Sequence, residues 1–249
     1  MEILCIVQAR MGSERLTGKV MKEVEGTPLI GHTLQRLSRS KYITKVVLAT
    51  SENKENDVLV DYAESIGFDV FRGDEDNVLK RYKEASDKFK GDIIIRVTGD
   101  CPFIDPIIVD SVISTFLIND YDFVKLDVPD AFIRGFDTEV FSRESLELAN
   151  KIVNEEKHFE GQDIERMFTE HVTYFMYTSQ NIFSVYKIVS DSFYKKNYRL
   201  CVDTPSDFEL IEKIATHFKD MHVCSKEIIK FLDKNKDIAE INKEVKQRM

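Results

Sequence analysis

The sequence predicts an α/β protein built on a doubly wound, mostly parallel sheet. Its apolar runs, Ile3-Leu4-Cys5-Ile6-Val7 first among them, are continuous rather than alternating, as strands covered on both faces require. These runs alternate with amphipathic stretches at helical spacing through Leu126, the order of a sheet assembled from crossover units.

Each element follows from local pattern. Thr27 and Pro28 read as N-cap and first helical residue, ahead of Leu29, Ile30, Thr33, Leu34 and Leu37 at helical spacing. Lys45 to Thr50 is the second buried strand, followed by a helix near Asn56 to Ile66 and a short strand from Phe68 to Phe71. Asp74 to Phe89 reads as a charged amphipathic helix, Asp92 to Val97 as a buried strand, Pro106 to Leu117 as a helix and Asp122 to Leu126 as a strand. Beyond Asp127 the pattern loosens. Asp137 to Phe141 is expected to be extended, Arg143 to Val153 and Asp163 to Phe168 helical, and His171 to Tyr177 and Ile182 to Val189 strands. Tyr198 to Asp203 reads as a late strand, capped by Thr204-Pro205-Ser206-Asp207 into a helix ending near His217. Ser225 to Met249 is charged and helical, expected to pack on the outside or fray.

With 249 residues the chain can bury a substantial core. Lys and Arg total 35 against 44 Asp and Glu, a formal net charge of -9, which argues against a nucleic-acid or anionic-membrane binder. Cys5, Cys101, Cys201 and Cys224 are scattered without a CxxC pair, so small buried thiols are expected rather than disulfides or zinc. No signal peptide pattern opens the sequence and no apolar stretch reaches the ~20 residues of a membrane span, so a cytoplasmic location is expected.

Ligands of doubly wound sheets bind beyond the carboxyl ends of the strands, and the chemistry-bearing residues fall there. After the first strand come Gln8-Ala9-Arg10-Met11-Gly12-Ser13-Glu14-Arg15-Leu16-Thr17-Gly18-Lys19, a loop whose Arg10, Arg15 and Lys19 suit a polyanion such as a nucleoside triphosphate. It is not a Walker A loop: five residues rather than four separate Gly12 from Gly18, and Val20 stands where Ser or Thr would hold magnesium. The dinucleotide GxGxxG pattern is also missing, which disfavours a hydride-transferring oxidoreductase. Taken alone, the same cations are compatible with a merely solvated loop.

Asp100, just past the strand ending in Arg96-Val97-Thr98, is placed to hold Mg²⁺, whereas Asp105 before Pro106 reads as a helix cap. Asp203 closes the segment Arg199-Leu200-Cys201-Val202, and two acids at two strand tips could share a metal ion. Arg72 and Gly73 occupy another strand end, where polar groups can face a base. Asp137 and Glu139 alternate on one extended face, suited to sugar hydroxyls, an amine or solvent. Of His32, His158, His171, His217 and His222, only His171 is a candidate for an acceptor site.

The ordered set Gln8-Ala9-Arg10-Met11-Gly12-Ser13, Arg15-Leu16, Gly18-Lys19-Val20, Arg72-Gly73, Thr98-Gly99-Asp100-Cys101-Pro102, Gly135-Phe136-Asp137-Thr138-Glu139, Glu170-His171-Val172-Thr173 and Val202-Asp203-Thr204-Pro205 resembles the spore coat polysaccharide biosynthesis protein F family. These cytidylyltransferase-like proteins are relatives of the enzymes that make CMP-activated acidic sugars. The resemblance extends to about Ile214 and implies a Rossmann-like nucleotidyltransferase fold with an inserted acceptor-binding and dimerisation region. One domain over 1–249 is expected, with a nucleotide-binding core over about 1–126, an acceptor region over about 127–197 and a closing segment from 198.

By resemblance Gln8, Ala9, Arg10, Gly12, Ser13, Arg15, Lys19, Arg72, Thr98 and Asp100 would bind the nucleotide. Arg10, Arg15, Lys19 and Asp100 would carry catalysis, Asp100 with Asp203 would coordinate Mg²⁺, and Asp137, Glu139 and His171 would meet the acceptor. The sequence departs from the family pattern at Thr17, usually Pro, at Glu14, often Ser or Thr, and at Leu200-Cys201, where many members have Trp. The implied reaction moves CMP from CTP to a sugar acid or other small acceptor and releases pyrophosphate, in a homodimer. A phosphate- or phosphonate-bearing acceptor, such as a sugar 1-phosphate or phosphorylated amino acid, would give a CDP-type product instead. A non-catalytic nucleotide-binding subunit of a polysaccharide assembly complex is the alternative of a different class.

Overall fold

The structure is a computed structural model that describes residues 1–156, 162–190 and 192–247. His158 lies outside them. A sheet of seven strands forms the centre, in the order β5-β4-β1-β6-β8-β7-β9. Its strands are β1 (Ile3–Gln8), β4 (Lys45–Ser51), β5 (Asp69–Gly73), β6 (Ile93–Thr98), β7 (Phe123–Leu126), β8 (Glu139–Ser142) and β9 (Val185–Ile188). A two-residue ribbon, β2 (Glu23–Val24) with β3 (Thr27–Pro28), stands apart. β1, β4, β5 and β6 run parallel, β8 is antiparallel to both β6 and β7, and β9 is parallel to β7.

The continuous apolar runs divide their side chains between two cores. Ile3, Cys5, Val7, Ile93, Ile95 and Val97 pack on the face covered by α1 (Leu29–Leu37), α2 (Asp57–Ser65), α4 (Pro106–Ile118), α8 (Pro205–Phe218) and α9 (Ser225–Lys234). Leu4, Ile6 and Ile94 pack on the other face, against α3 (Val78–Phe89), α5 (Arg143–Lys151) and α7 (Tyr174–Thr178). Helices on both faces are what a doubly wound sheet requires. Further elements are α6 (Gln162–Glu170), which follows a π-turn at Ile152–Glu156, and α10 (Lys236–Ala239). Cys5, Cys101 and Cys201 are buried, and all four thiols are free. Among the described residues no helix is long and apolar enough to cross a membrane.

Five expectations need correction. Thr27 does not cap α1: its backbone joins the ribbon opposite Val24, and the helix starts at Leu29 without a side-chain cap. α3 begins at Val78 rather than Asp74, because the Asp74 carboxylate accepts from the Asp76 and Asn77 amides and holds a turn, leaving Asn77 to cap. His171 to Tyr177 is not a strand; Val172, Phe175 and Met176 are buried at helical i, i+3, i+4 spacing, and α7 forms there. Tyr198 to Asp203 makes a single bridge, Arg134 with Arg199, instead of a strand. Its backbone pairs with loops: the Leu200 amide donates to the Arg134 carbonyl at 2.8 Å and the Val202 amide to the Asp100 carbonyl at 2.9 Å. Nor does the carboxyl-terminal region stay outside, since Ile228, Ile229 and Leu232 are fully buried. By contrast Asp105 caps α4 and Thr204 with Asp207 forms the capping box of α8.

Candidate active site

Parallel pairing of β1 with β6 brings Gln8 beside Thr98, so the loops after the two strands leave the sheet together. Gly99 permits their close approach: its amide donates to the Gln8 carbonyl at 2.9 Å, and a Cβ there would lie 2.8 Å from the Cβ of Ala9. Asp203 arrives from the other end of the chain on the segment pinned by Val202. Gly135, at φ +107°, lets the loop after β7 pass against Leu200, where a Cβ would sit 2.7 Å from the Leu200 carbonyl carbon.

The charged groups converge. Lys19 Nζ lies 2.7 Å from Asp100 Oδ2 and 2.7 Å from Asp203 Oδ1. Arg15 Nη2 reaches Asp203 Oδ2 at 3.0 Å, and Arg199 Nη2 donates to the same oxygen while its Nε donates to Asp207 at 3.1 Å. Thr98 Oγ1 donates to Asp100 Oδ1 at 2.7 Å. Desolvation pushes the Asp100 carboxyl up, but Lys19, Thr98 and Cys101 more than offset it, so the group stays below the usual carboxylate range. Desolvation likewise opposes the Lys19 ammonium, and the two carboxylates overcome it.

These groups sit on a crevice of about 1450 Å³. Gln8, Ala9, Arg10, Gly12, Ser13, Arg15 and Lys19 line it from the first loop, Thr98 and Asp100 from the end of β6, and Asp203 from the segment that precedes α8. His171 faces the same crevice from the end of α6, its imidazole held below the ordinary value by desolvation and by Arg96. Arg10 is paired with Glu75 at 2.6 Å. Asp137 and Glu139 line an adjoining cavity of about 250 Å³ that shares Arg15, Thr98, Asp100 and Asp203 with the crevice, and the Glu139 charge is felt by His171. Arg72 lines neither; its guanidinium is held by Asp57 at 2.6 Å and by the Ser51 and Asn53 carbonyls.

Three cations absent from the sequence-based set shape the site: Arg96, Arg134 and Arg199. Arg96 Nη1 pairs across the β6–β8 register with Glu139 Oε2 at 2.7 Å, and its Nε donates to Gln8 at 3.0 Å. Thr173 also donates to Glu139, and Lys125 lies 3.9 Å from it. Desolvation raises the Glu139 carboxyl, yet Arg96 and Lys125 hold it below its usual value. The sequence did carry a signal for Arg96, because a lone cation inside Ile93-Ile94-Ile95-Arg96-Val97 demands a buried acidic partner.

The donor set fits a hard divalent cation. Two carboxylates with oxygens 2.7 Å from one nitrogen converge on a single point of positive charge, and Mg²⁺ takes one or two carboxylates plus substrate phosphates. Among the described residues no group of three or more His, Cys, Asp or Glu side chains could hold a metal, so substrate oxygens would complete the shell.

A parallel core with a cationic loop and paired carboxylates at its carboxyl edge defines the class: this is a nucleotidyltransferase. The chain belongs to the cytidylyltransferase family, whose profile matches residues 4–238. It is 32% identical to the spore coat polysaccharide biosynthesis protein SpsF of Bacillus subtilis, over 96% of this chain and 97% of that protein. It is 31% identical over 121 residues to the 3-deoxy-manno-octulosonate cytidylyltransferase of Trichlorobacter lovleyi, 48% of this chain and 46% of that one. The solved structure of a cytidylyltransferase from Leptospira borgpetersenii superimposes with a TM-score of 0.88 at 29% identity, covering 100% of both chains.

Proposed function

We propose that this enzyme transfers CMP from CTP to a sugar acid, with release of pyrophosphate and dependence on Mg²⁺, in the synthesis of a surface polysaccharide or glycoconjugate precursor. The observation that carries the reading is Lys19 Nζ standing 2.7 Å from both Asp100 and Asp203, on a crevice whose other wall is the Arg10–Arg15 loop. The sugar-acid acceptor is supported by the named activity of the octulosonate relative, and the polysaccharide context by that of SpsF.

An acceptor hydroxyl oxygen attacks the α-phosphorus of CTP and gives up its proton to water, forming a new P–O bond as the bond to the β-phosphate oxygen breaks and pyrophosphate departs. Arg10, Arg15 and Lys19 bind the triphosphate and neutralise the charge that grows on the leaving group. Asp100 and Asp203 would hold Mg²⁺, which when bound supplies positive charge to polarise the α-phosphoryl group. The small cavity seats the acceptor beside these carboxylates, so that attack is a matter of positioning. His171 faces the crevice beside that cavity, where the hydroxyl meets the triphosphate, and desolvation with Arg96 disfavours its protonated form.

The test is pyrophosphate release with CTP, the other nucleoside triphosphates and 3-deoxy-manno-octulosonate. Asp100→Asn is expected to lower kcat/KM by about 100-fold or more. Wild-type turnover in that variant, or equal use of every triphosphate, defeats the reading.

A further inference from the structure

The small cavity holds a charge pattern that the nucleotide does not need. Of its basic groups, Arg15 is engaged by Asp203, and Arg96 by Glu139 and Gln8. Arg134 is different. Its guanidinium comes no nearer than 3.8 Å to Asp137, beyond hydrogen-bond length, and among the described residues its side chain makes no hydrogen bond. Asp137 spends one oxygen on the Gly135 amide at 2.7 Å and leaves the other, Oδ1, turned toward Arg134. Desolvation holds this carboxyl above its ordinary value, against the Gly135 amide and the Arg134 charge, which favour its ionised form.

A planar fork of donors and an acceptor thus stand side by side in about 250 Å³, directly against Asp100 and Asp203. Resting on the nucleotidyl-transfer reading above, we infer that Arg134 is the residue that selects the acceptor, by pairing bidentately with a carboxylate that is not the attacking group. Asp137 accepts a hydrogen bond from a hydroxyl next to that carboxylate. The cavity is below the usual size of a drug-sized pocket, which restricts the acceptor to a compact polar acid. A phosphate acceptor is a different case, because its oxyanion would itself be the nucleophile and would lie at the α-phosphorus rather than against Arg134.

The experiment measures pyrophosphate release with CTP and Mg²⁺ against three probes: 3-deoxy-manno-octulosonate, its carboxamide and glucose 1-phosphate. CTP affinity is measured in parallel by calorimetry. The acid is expected to be used with a KM at least about 30-fold below that of the carboxamide, and Arg134→Gln to raise the acid's KM by about 30-fold or more. CTP affinity stays within about twofold, and Arg134→Lys recovers part of the loss, because charge returns without the fork. Equal use of acid and carboxamide, an unchanged KM in Arg134→Gln, exclusive use of glucose 1-phosphate, or turnover of no probe while CTP still binds would each overturn the role of Arg134 and leave nucleotide transfer standing. Failure of the wild-type protein to bind CTP overturns the parent reading and this one with it.

Discussion

Lys19 and Asp203, 184 positions apart in the chain, meet at 2.7 Å, and Asp100 closes on the same ammonium at the same distance. The ammonium is therefore the counter-charge that lets two carboxylates share one point. Without it they would repel at close range in a partly desolvated site. This relationship puts the Lys19 ammonium at the point where the two carboxylates converge, the place a cation would take.

Lys19→Met is accordingly expected to lower kcat/KM by about 100-fold or more, the scale for losing one preorganised electrostatic partner. It also leaves Asp100 and Asp203 facing each other. In the absence of divalent ions its melting temperature should fall below that of the wild type, and Mg²⁺ should restore more stability to the variant than to the parent. Calorimetric melting with and without EDTA checks both; equal Mg²⁺ effects in the two proteins would contradict the shared-point picture.

Arg199 does not line the crevice, yet it grips Asp203 and Asp207 together and takes a further hydrogen bond to Gln247 at 2.7 Å. Arg199→Lys keeps a charge but cannot span both acids. With Asp203 as the metal ligand proposed above, the expected result is a rise of about 10-fold or more in the Mg²⁺ concentration for half-maximal activity, the usual cost of losing a group that orients such a ligand. The KM for CTP at saturating Mg²⁺ should change far less. A metal titration of activity separates the two.

Glu139 and Asp137 are expected to respond to pH in opposite directions. Glu139 lies below its ordinary value of 4.5 through Arg96 and Lys125, so its stabilisation is complete above that pH and is lost as pH falls through the folded value. Glu139→Gln should cost about 1.5–3 kcal/mol at neutral pH and weaken the acid-side decline. Asp137 lies above its ordinary value of 3.8 through desolvation, so folding is favoured most below that pH and loses ground as pH rises through the folded value. Asp137→Asn should therefore melt higher than the wild type at neutral pH while losing activity. Melting curves from about pH 3 to pH 7 give both signs.

Gly135→Ala places a Cβ 2.7 Å from the Leu200 carbonyl carbon at a φ of +107°, a conformation L side chains rarely adopt. The expected cost is about 1–3 kcal/mol, read by urea unfolding. Because Leu200 lies on the segment that ends at Asp203, activity should fall beyond what the stability loss explains. Gly67→Ala, where no atom lies within 4 Å of the new Cβ, tests backbone strain alone, since φ there is +88°.

The sheet and its loops were legible because their signals are local. Continuous apolar runs announce strands covered on both faces, and Asp105-Pro106 and Thr204-Pro205 announce helix starts. The failures came where a segment's partners are distant. Tyr198 to Asp203 has the composition of a strand, but its amides are taken by the Asp100 and Arg134 loops. Arg72 has the strand-end position of a ligand-facing group, but Asp57 and two carbonyls hold it outside the crevice. In both cases pattern specified a conformation and left the partner open.

By itself the sequence determined the α/β class and the cationic loop after the first strand, and it marked Asp100 and Asp203 as candidates, since each of these rests on neighbours within a few residues. Tertiary structure alone decided that Lys19 joins Asp100 to Asp203, that Arg96 neutralises Glu139, and that Arg134 meets Asp137 only at 3.8 Å. The reason is physical. Pairing between charges depends on distance through space, and burial sets how strongly an unpaired one is felt; neither quantity is written in the order of the residues.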